Sequence, residues 1–342
     1  MISGIVAQQA NMNAAASGIS RLAVGHTGSP YLSIYKKESG AFKKLSNPAS
    51  LPSFNGTGCA ATVDGVYLAL SVQSTPFVII YKRSGDTYTK LTDPDVLPPA
   101  AGRGCAFSSD GSYLTIAHDN SPFITIYKRS GDTFTKLANP ATLPAGSGKS
   151  CAFSSDSTYL AVGHNVSPYL TIYKRSGDTF TKLSNPAALP SDQGNGVAFS
   201  SDGTYLAVAH ASSIYVAIYK RSGDTFTKLP NPSTLPPSTG NACSFSPDGV
   251  YLTIGHLSSP YMTIYKRSGD VFTKLANPAT LPTGDANGVA WSADGSNLAV
   301  AHNISPFITI YSRVADDFTK LTNPSTLPPS TGSACTFTST VD

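Results

Sequence analysis

Six histidines stand in one register of this chain: His26, His118, His164, His210, His256 and His302, with Val72 in the one place skipped. Imidazoles at equal spacing could form a ring of metal ligands or acid–base groups. Five cysteines keep the same interval, Cys59, Cys105, Cys151, Cys243 and Cys335, with Val197 and Val289 in the later places. Thiols can pair, bind metal or attack. Carboxylates fall into two further registers, Asp64, Asp110, Asp156, Asp202, Asp248, Asp294 and Asp86, Asp132, Asp178, Asp224, Asp270, Asp316. The single glutamate, Glu38, lies near a turn.

The elements that must position these groups are set by a tyrosine that recurs every 46 residues: Tyr35, Tyr81, Tyr127, Tyr173, Tyr219, Tyr265 and Tyr311. Seven units in this length range predict an all-β, seven-bladed β-propeller. Within one unit, Val197-Ala-Phe-Ser200, Tyr205–His210, Tyr215–Tyr219 and Phe226–Leu229 read as four antiparallel strands, innermost first. Ser-Asp-Gly and Ser-Gly-Asp turns separate them on one face. The loops between second and third strands, and the stiff Asn-Pro-x-x-Leu-Pro crossings, lie on the other, the top. The polar fourth strand suits an outer edge.

Closure is legible at the chain ends. Ser333–Thr338 aligns with an innermost strand but has no blade after it, so it completes blade 1, whose second strand is Ile19–His26. Asn13–Ala16 occupies the same register as an alternative, but with no aromatic and three alanines. Residues 1–12 then form an N-terminal arm and 13–342 a single propeller domain. The first residues lack a charged n-region and a continuous apolar stretch, so no secretory signal is expected, and no run is long enough to span a membrane as a helix.

This frame reduces most of the regular groups to scaffold. In Leu206-Ala-Val-Ala-His210 the histidine shares a face with Leu206 and Val208, packing against the next blade. Sheets stack about 10 Å apart, too far for neighbouring histidines to share a zinc whose donors lie within about 2.1 Å. Two readings stay open: histidines holding top-face loops, or a ligand-facing ring. Exchange of Cys with Val marks a small apolar core site, so buried reduced thiols are expected. The aspartates fit turn chemistry. No metal, cofactor or catalytic residue is assigned, and no P-loop, Gly-x-Ser-x-Gly or His-Glu-x-x-His is present.

Two residues before the cysteine register the series changes character: Thr57, Arg103, Lys149, Asn195, Asn241, Asn287, Ser333. These side chains ring the top mouth of the axial channel, cationic over blades 3 and 4. Phe54, Asp192, Gln193 and Asp285 stand nearby and also break the repeat. The mouth is the candidate binding site, with drift in exposed loops as the alternative. An aromatic register, Tyr31, Phe77, Phe123, Tyr169, Tyr215, Tyr261 and Phe307, opens the third strands, either covering the core or offering stacking faces for sugars.

The phrase Val197–Val208 resembles the first half of a WD40 repeat, and the strand ending at Tyr219 its second half. Tyr219-Lys220 replaces the Trp-Asp pair, and the Gly-His pair before the first strand is missing. A narrower resemblance is that of Tyr-Lys-Arg-Ser-Gly-Asp-Thr-Phe-Thr-Lys-Leu to repeats of propeller proteins from tailed phages and prophages. It implies a virion location.

Charge narrows the partners. The net charge is +4, and lysines, arginines and aspartates interleave around the ring, so no one-sided basic stripe forms for nucleic acid. The leading expectation is a non-enzymatic interaction protein, a virion structural component docking to other virion or surface proteins. The alternative is a multivalent carbohydrate-binding propeller facing a host-surface glycan. A lactonase-like enzyme of the seven-bladed type stands third, resting on Arg103, Lys149 and the three asparagines.

Overall fold

The computed structural model describes residues 19–340, and these form seven four-stranded antiparallel sheets and no helix. The expected arm and the Asn13–Ala16 alternative lie outside the described residues. Blade 1 pairs Gly332–Thr340 as its innermost strand with Ile19–His26, Leu22 opposite Phe337. The ring is thus closed by its C-terminal strand.

The second strands, such as Tyr159–His164, are buried at every residue. They are covered on both faces, which is why they read as continuous apolar runs. The fourth strands, such as Thr179–Lys182, bury one aromatic and expose its neighbours. Cores lie between blades: one cluster joins Ile124 and Ile126 of blade 3 to Leu160, Val162 and Tyr173 of blade 4.

The counting tyrosines are wholly buried. Five reach back to the crossing that enters their own blade, as when Tyr173 Oη donates to the Thr142 carbonyl at 2.9 Å and Tyr127 Oη to Val96 at 2.8 Å. Each such bond fixes the segment that leads into the innermost strand, and hence the mouth residue on it.

Two sequence expectations change. The second set of aspartates does more than form turns. Asp178 accepts from Tyr113 Oη at 2.6 Å and from Lys128 Nζ at 2.8 Å, both on the preceding blade, while Arg175 lies over the Tyr113 ring at 4.8 Å. The same lock joins blades 2 through 7 in sequence. The first set does serve its turn, Asp156 Oδ1 accepting from Ser154 Oγ at 2.5 Å and from Thr158 N at 2.9 Å. Its members also meet an arginine of the next blade, as Asp248 Oδ2 accepts from Arg313 Nη1 at 3.1 Å.

The third strands also begin one residue later than the aromatic register suggested. Tyr215 and its six equivalents have φ between 62° and 67°, outside the extended range, and the strand starts at Val216. Their carbonyls accept from the residue ending the second strand, as in His164 N to Tyr169 O at 3.0 Å. That carbonyl presses on the start of the innermost strand. A Cβ at Gly148 would lie 2.5 Å from the Phe123 oxygen, so glycine is required beside Lys149.

Candidate functional site at the axial mouth

The seven residues Thr57, Arg103, Lys149, Asn195, Asn241, Asn287 and Ser333 line one cavity of about 380 Å³ at the top of the axis. Each follows the tight first residue of an innermost strand, so seven half-buried side chains converge from seven blades. No carboxylate lines the cavity.

Four of the seven bridge to the following blade. Thr57 Oγ1 donates to the Gly102 carbonyl at 2.6 Å, Asn195 Nδ2 to Gly240 at 3.0 Å, Asn241 Nδ2 to Ala286 at 3.4 Å and Asn287 Nδ2 to Gly332 at 3.0 Å. These latches leave the asparagine Oδ1 atoms for a ligand.

Blade 3 departs from the pattern. Arg103 Nε donates to Asp119 Oδ1 at 2.9 Å and Nη2 to Oδ2 at 2.5 Å, within its own blade. The guanidinium hydrogen bond holds the Asp119 carboxyl below the usual range, and the nearby Lys149 charge adds to it. Asp119 is therefore ionised at neutral pH and fixes Arg103, a bidentate pair of the stronger kind. Among the described residues Lys149 and Ser333 have no side-chain partner. The mouth is thus cationic on one side and amide-lined on the other.

Sequence reasoning did not find Asp119. The signal was present: in its register, Thr27, Gln73, Asp119, Asn165, Ala211, Leu257 and Asn303, it is the one acid, and it belongs to the blade with the one mouth arginine.

The other expected residues lie elsewhere. Phe54 is exposed in the crossing before blade 2, Asp192 caps the Gln193 amide at 2.7 Å, and Asp285 pairs with Asn303 at 2.9 Å. None of them lines the cavity. The six histidines are at most 1% exposed, so no imidazole ring faces the mouth. Five of them reach the hydroxyl of the third strand, as His164 Nε2 does with Thr171 Oγ1 at 3.0 Å. Burial lowers their pKa to about 4, leaving them neutral at pH 7.

The cysteines are free and set four of their thiols against carbonyls of the preceding blade, as Cys151 Sγ to Thr115 O at 3.6 Å. They border a second axial cavity of about 350 Å³ with the aromatic residues two positions on, Phe107 to Phe337. Burial pushes the Cys105 thiol up to about 12, so these groups are not nucleophiles at neutral pH. Among the described residues no three His, Cys, Asp or Glu side chains are grouped to hold a metal ion. Nor is any helix among them long and apolar enough to cross a membrane.

No protein-family model matches the chain, and no curated protein matches it in sequence. Solved structures do match in shape. A protein from Bacteroides uniformis, provisionally assigned as a 6-phosphogluconolactonase, is similar with a TM-score of 0.75 and 16% identity, over 94% of this chain and 99% of that one. The periplasmic gluconolactonase of Pseudomonas aeruginosa is similar with a TM-score of 0.72 and 14% identity, over 94% and 100%. A protein from Lactobacillus plantarum gives 0.72 and 17%, over 93% and 99%. At such identity the likeness shows the seven-bladed fold. The expectation of a non-enzymatic virion component, with its carbohydrate-binding alternative, is corrected by these neighbours, two of which carry lactonase names.

Proposed function

We propose that the chain is a lactonase-type enzyme that opens the ring ester of a sugar lactone at the axial mouth. The observation that carries this reading is the lining of the mouth: two cations and three carboxamides around a cavity of about 380 Å³, in a fold shared with proteins named as lactonases.

The chemistry asks little of the protein. A water oxygen bonds to the lactone carbonyl carbon and releases a proton to solvent, and the carbonyl oxygen becomes negative. Collapse reforms the carbonyl and breaks the ring C–O bond, whose oxygen takes up a proton to give the open hydroxy acid. Fixed donors aimed at the developing oxyanion supply most of the acceleration in such reactions. Lys149 and Arg103 Nη1, which line the cavity without a partner among the described residues, are the donors suited to that role. Arg103 Nη1 serves it where Lys149 holds an acidic group of the substrate. Asp119 acts as a positioning residue that holds Arg103, and its lowered pKa makes it a weak base. The asparagine Oδ1 atoms and the Ser333 hydroxyl are placed to orient sugar hydroxyls.

Proton release from glucono-δ-lactone and from its 6-phosphate, followed with a pH indicator against the spontaneous rate, tests the reading. Acceleration that falls at least about tenfold in Lys149→Met supports it. A rate no faster than buffer for both lactones overturns it.

A further inference from the structure

The latches around the mouth are unevenly distributed, and two of the three gaps carry the cations, the third lying at Ser333, which has no bond to Gly56 among the described residues. Mouth side chains bond forward to Gly102, Gly240, Ala286 and Gly332. No mouth side chain bonds Gly148 or Gly194, the equivalent carbonyls of blades 4 and 5. The residues that would do so are Arg103, turned to Asp119 within its own blade, and Lys149, which has no bond among the described residues. Blades 3, 4 and 5 therefore meet at the mouth without the bridges that join blade 2 to 3 and blades 5, 6, 7 and 1. Two cationic side chains stand at those seams, Arg103 paired with Asp119 and Lys149 without a partner among the described residues.

We propose that an anionic group of the ligand, a phosphate or a carboxylate, binds in this sector and takes the place of the missing latches. Three observations converge on it. Lys149 lines the cavity and has no hydrogen-bond or ion-pair partner among the described residues, so its ammonium is open to a ligand there. Arg103 spends Nε and Nη2 on Asp119 and keeps Nη1 without a partner among the described residues. Asp119 offsets the charge of Arg103 from outside the cavity lining, so Lys149 is the mouth cation left without an ion-pair partner among the described residues. An anion held by Lys149 and Arg103 would tie blades 3 and 4 together, so that binding and local stiffening of the ring are one event. The inference rests on the lactonase reading only for the identity of the whole ligand. It narrows the substrate to an acidic or phosphorylated sugar lactone.

The test is calorimetry and thermal melting at low ionic strength, where such contacts are least screened. The probes are inorganic phosphate, gluconate and 6-phosphogluconate, with glucose as the neutral control. Binding should raise the melting temperature, as any ligand selective for the native state does. Lys149→Asn supplies the side chain that latches blades 5, 6 and 7. It should melt no lower than wild type without ligand and lose affinity for the anion about tenfold or more. Lys149→Met should lose affinity equally, and Lys149→Arg should stay within about threefold because the charge remains.

A phosphate ester that outbinds gluconate assigns the sector to phosphate, the reverse assigns it to carboxylate, and either supports the anion site. Unchanged affinity in both Lys149→Asn and Lys149→Met, or no binding of any anion at millimolar concentration, overturns it. Anion binding without lactone hydrolysis would remove the lactonase reading and leave this site standing. Hydrolysis of both lactones with no binding of any anion would do the opposite.

Discussion

Lys37 of blade 1 donates to Asn297 Oδ1 of blade 7 at 3.2 Å, across the seam where the ring closes. At the five seams from blade 2 to blade 7 the position of Asn297 is a tyrosine bonded to an aspartate of the next blade, with an arginine over its ring. At the closing seam the tyrosine is Asn297, the aspartate is Gly40, the lysine is Ser312 and the arginine is Lys37. The seam from blade 1 to blade 2 keeps its aspartate but meets it with buried Arg21 at 2.7 Å. The irregular locks thus flank blade 1, the blade made from both chain ends.

Installing the missing lock should stabilise the ring. A variant carrying Asn297→Tyr, Ser312→Lys, Ser39→Gly, Gly40→Asp and Lys37→Arg takes the residues of the seam between blades 3 and 4, with Ser39→Gly letting the turn adopt the Gly177-Asp178 form in place of Gly40 at φ 84°. Its melting temperature should rise by about 1–3 °C, a modest gain because the ion pair is exposed. A melting temperature equal to or below wild type would show that the lock does not limit the closing seam.

The tyrosine register contains its own control. Tyr173 Oη donates to the Thr142 carbonyl, whereas Tyr219 Oη is buried without a partner. Tyr173→Phe should cost about 1 kcal/mol, the usual net value of such a bond. Tyr219→Phe should cost less than about 0.5 kcal/mol or stabilise, because it removes an unsatisfied hydroxyl. Denaturant unfolding of the two variants side by side decides the matter, and equal losses would refute the assignment.

How far the sequence could be read follows the length of the interaction. The Tyr35-to-Tyr311 interval gave blade count, strand order and closure, because each depends on local alternation and turns. The exchange of Cys151 with Val197 marked a core position for the same reason. The mouth was visible because Thr57 to Ser333 break the repeat. What could not be read are contacts that skip a blade length. Tyr113 and Asp178 are 65 residues apart, Lys128 and Asp178 50, Asn195 and Gly240 45. A repeat makes every such partner choice look alike, so the aspartates read as turn formers. Arg103 and Asp119 are only 16 apart, but they meet across two strands and a loop.

The thiols supply a third prediction. Burial raises the pKa of Cys105, Cys243 and Cys335 to about 12, and all five cysteines are free. In native protein at pH 8 an alkylating reagent should modify them slowly, at a rate that tracks opening of the blades. In denaturant, intact mass should show all five labelled. Rapid native labelling of Cys151 or Cys335, the two most buried, would mean that its seam is open.

The histidines predict how the fold responds to acid. Each has a folded pKa of about 4 against an ordinary value of 6.5, lowered by burial. The unfolded chain therefore binds protons that the folded ring refuses. Stability is complete above about pH 6.5 and falls as pH drops toward 4, by up to about 1.4 kcal/mol per unit for each group. Six groups acting together should bring on cooperative unfolding within that window. The aspartates held low by lysine and tyrosine, such as Asp178, lose their contribution only below their ordinary 3.8, after the histidines have acted. Blade 2 shows the remedy, with Val72 and Ile79 where blade 4 has His164 and Thr171. The double variant His164→Val with Thr171→Ile should fold and shift the acid midpoint to lower pH, with one fewer proton taken up on unfolding. Circular dichroism titration from pH 8 to 3 measures both, and an unchanged midpoint would mean that the buried histidines do not set acid stability.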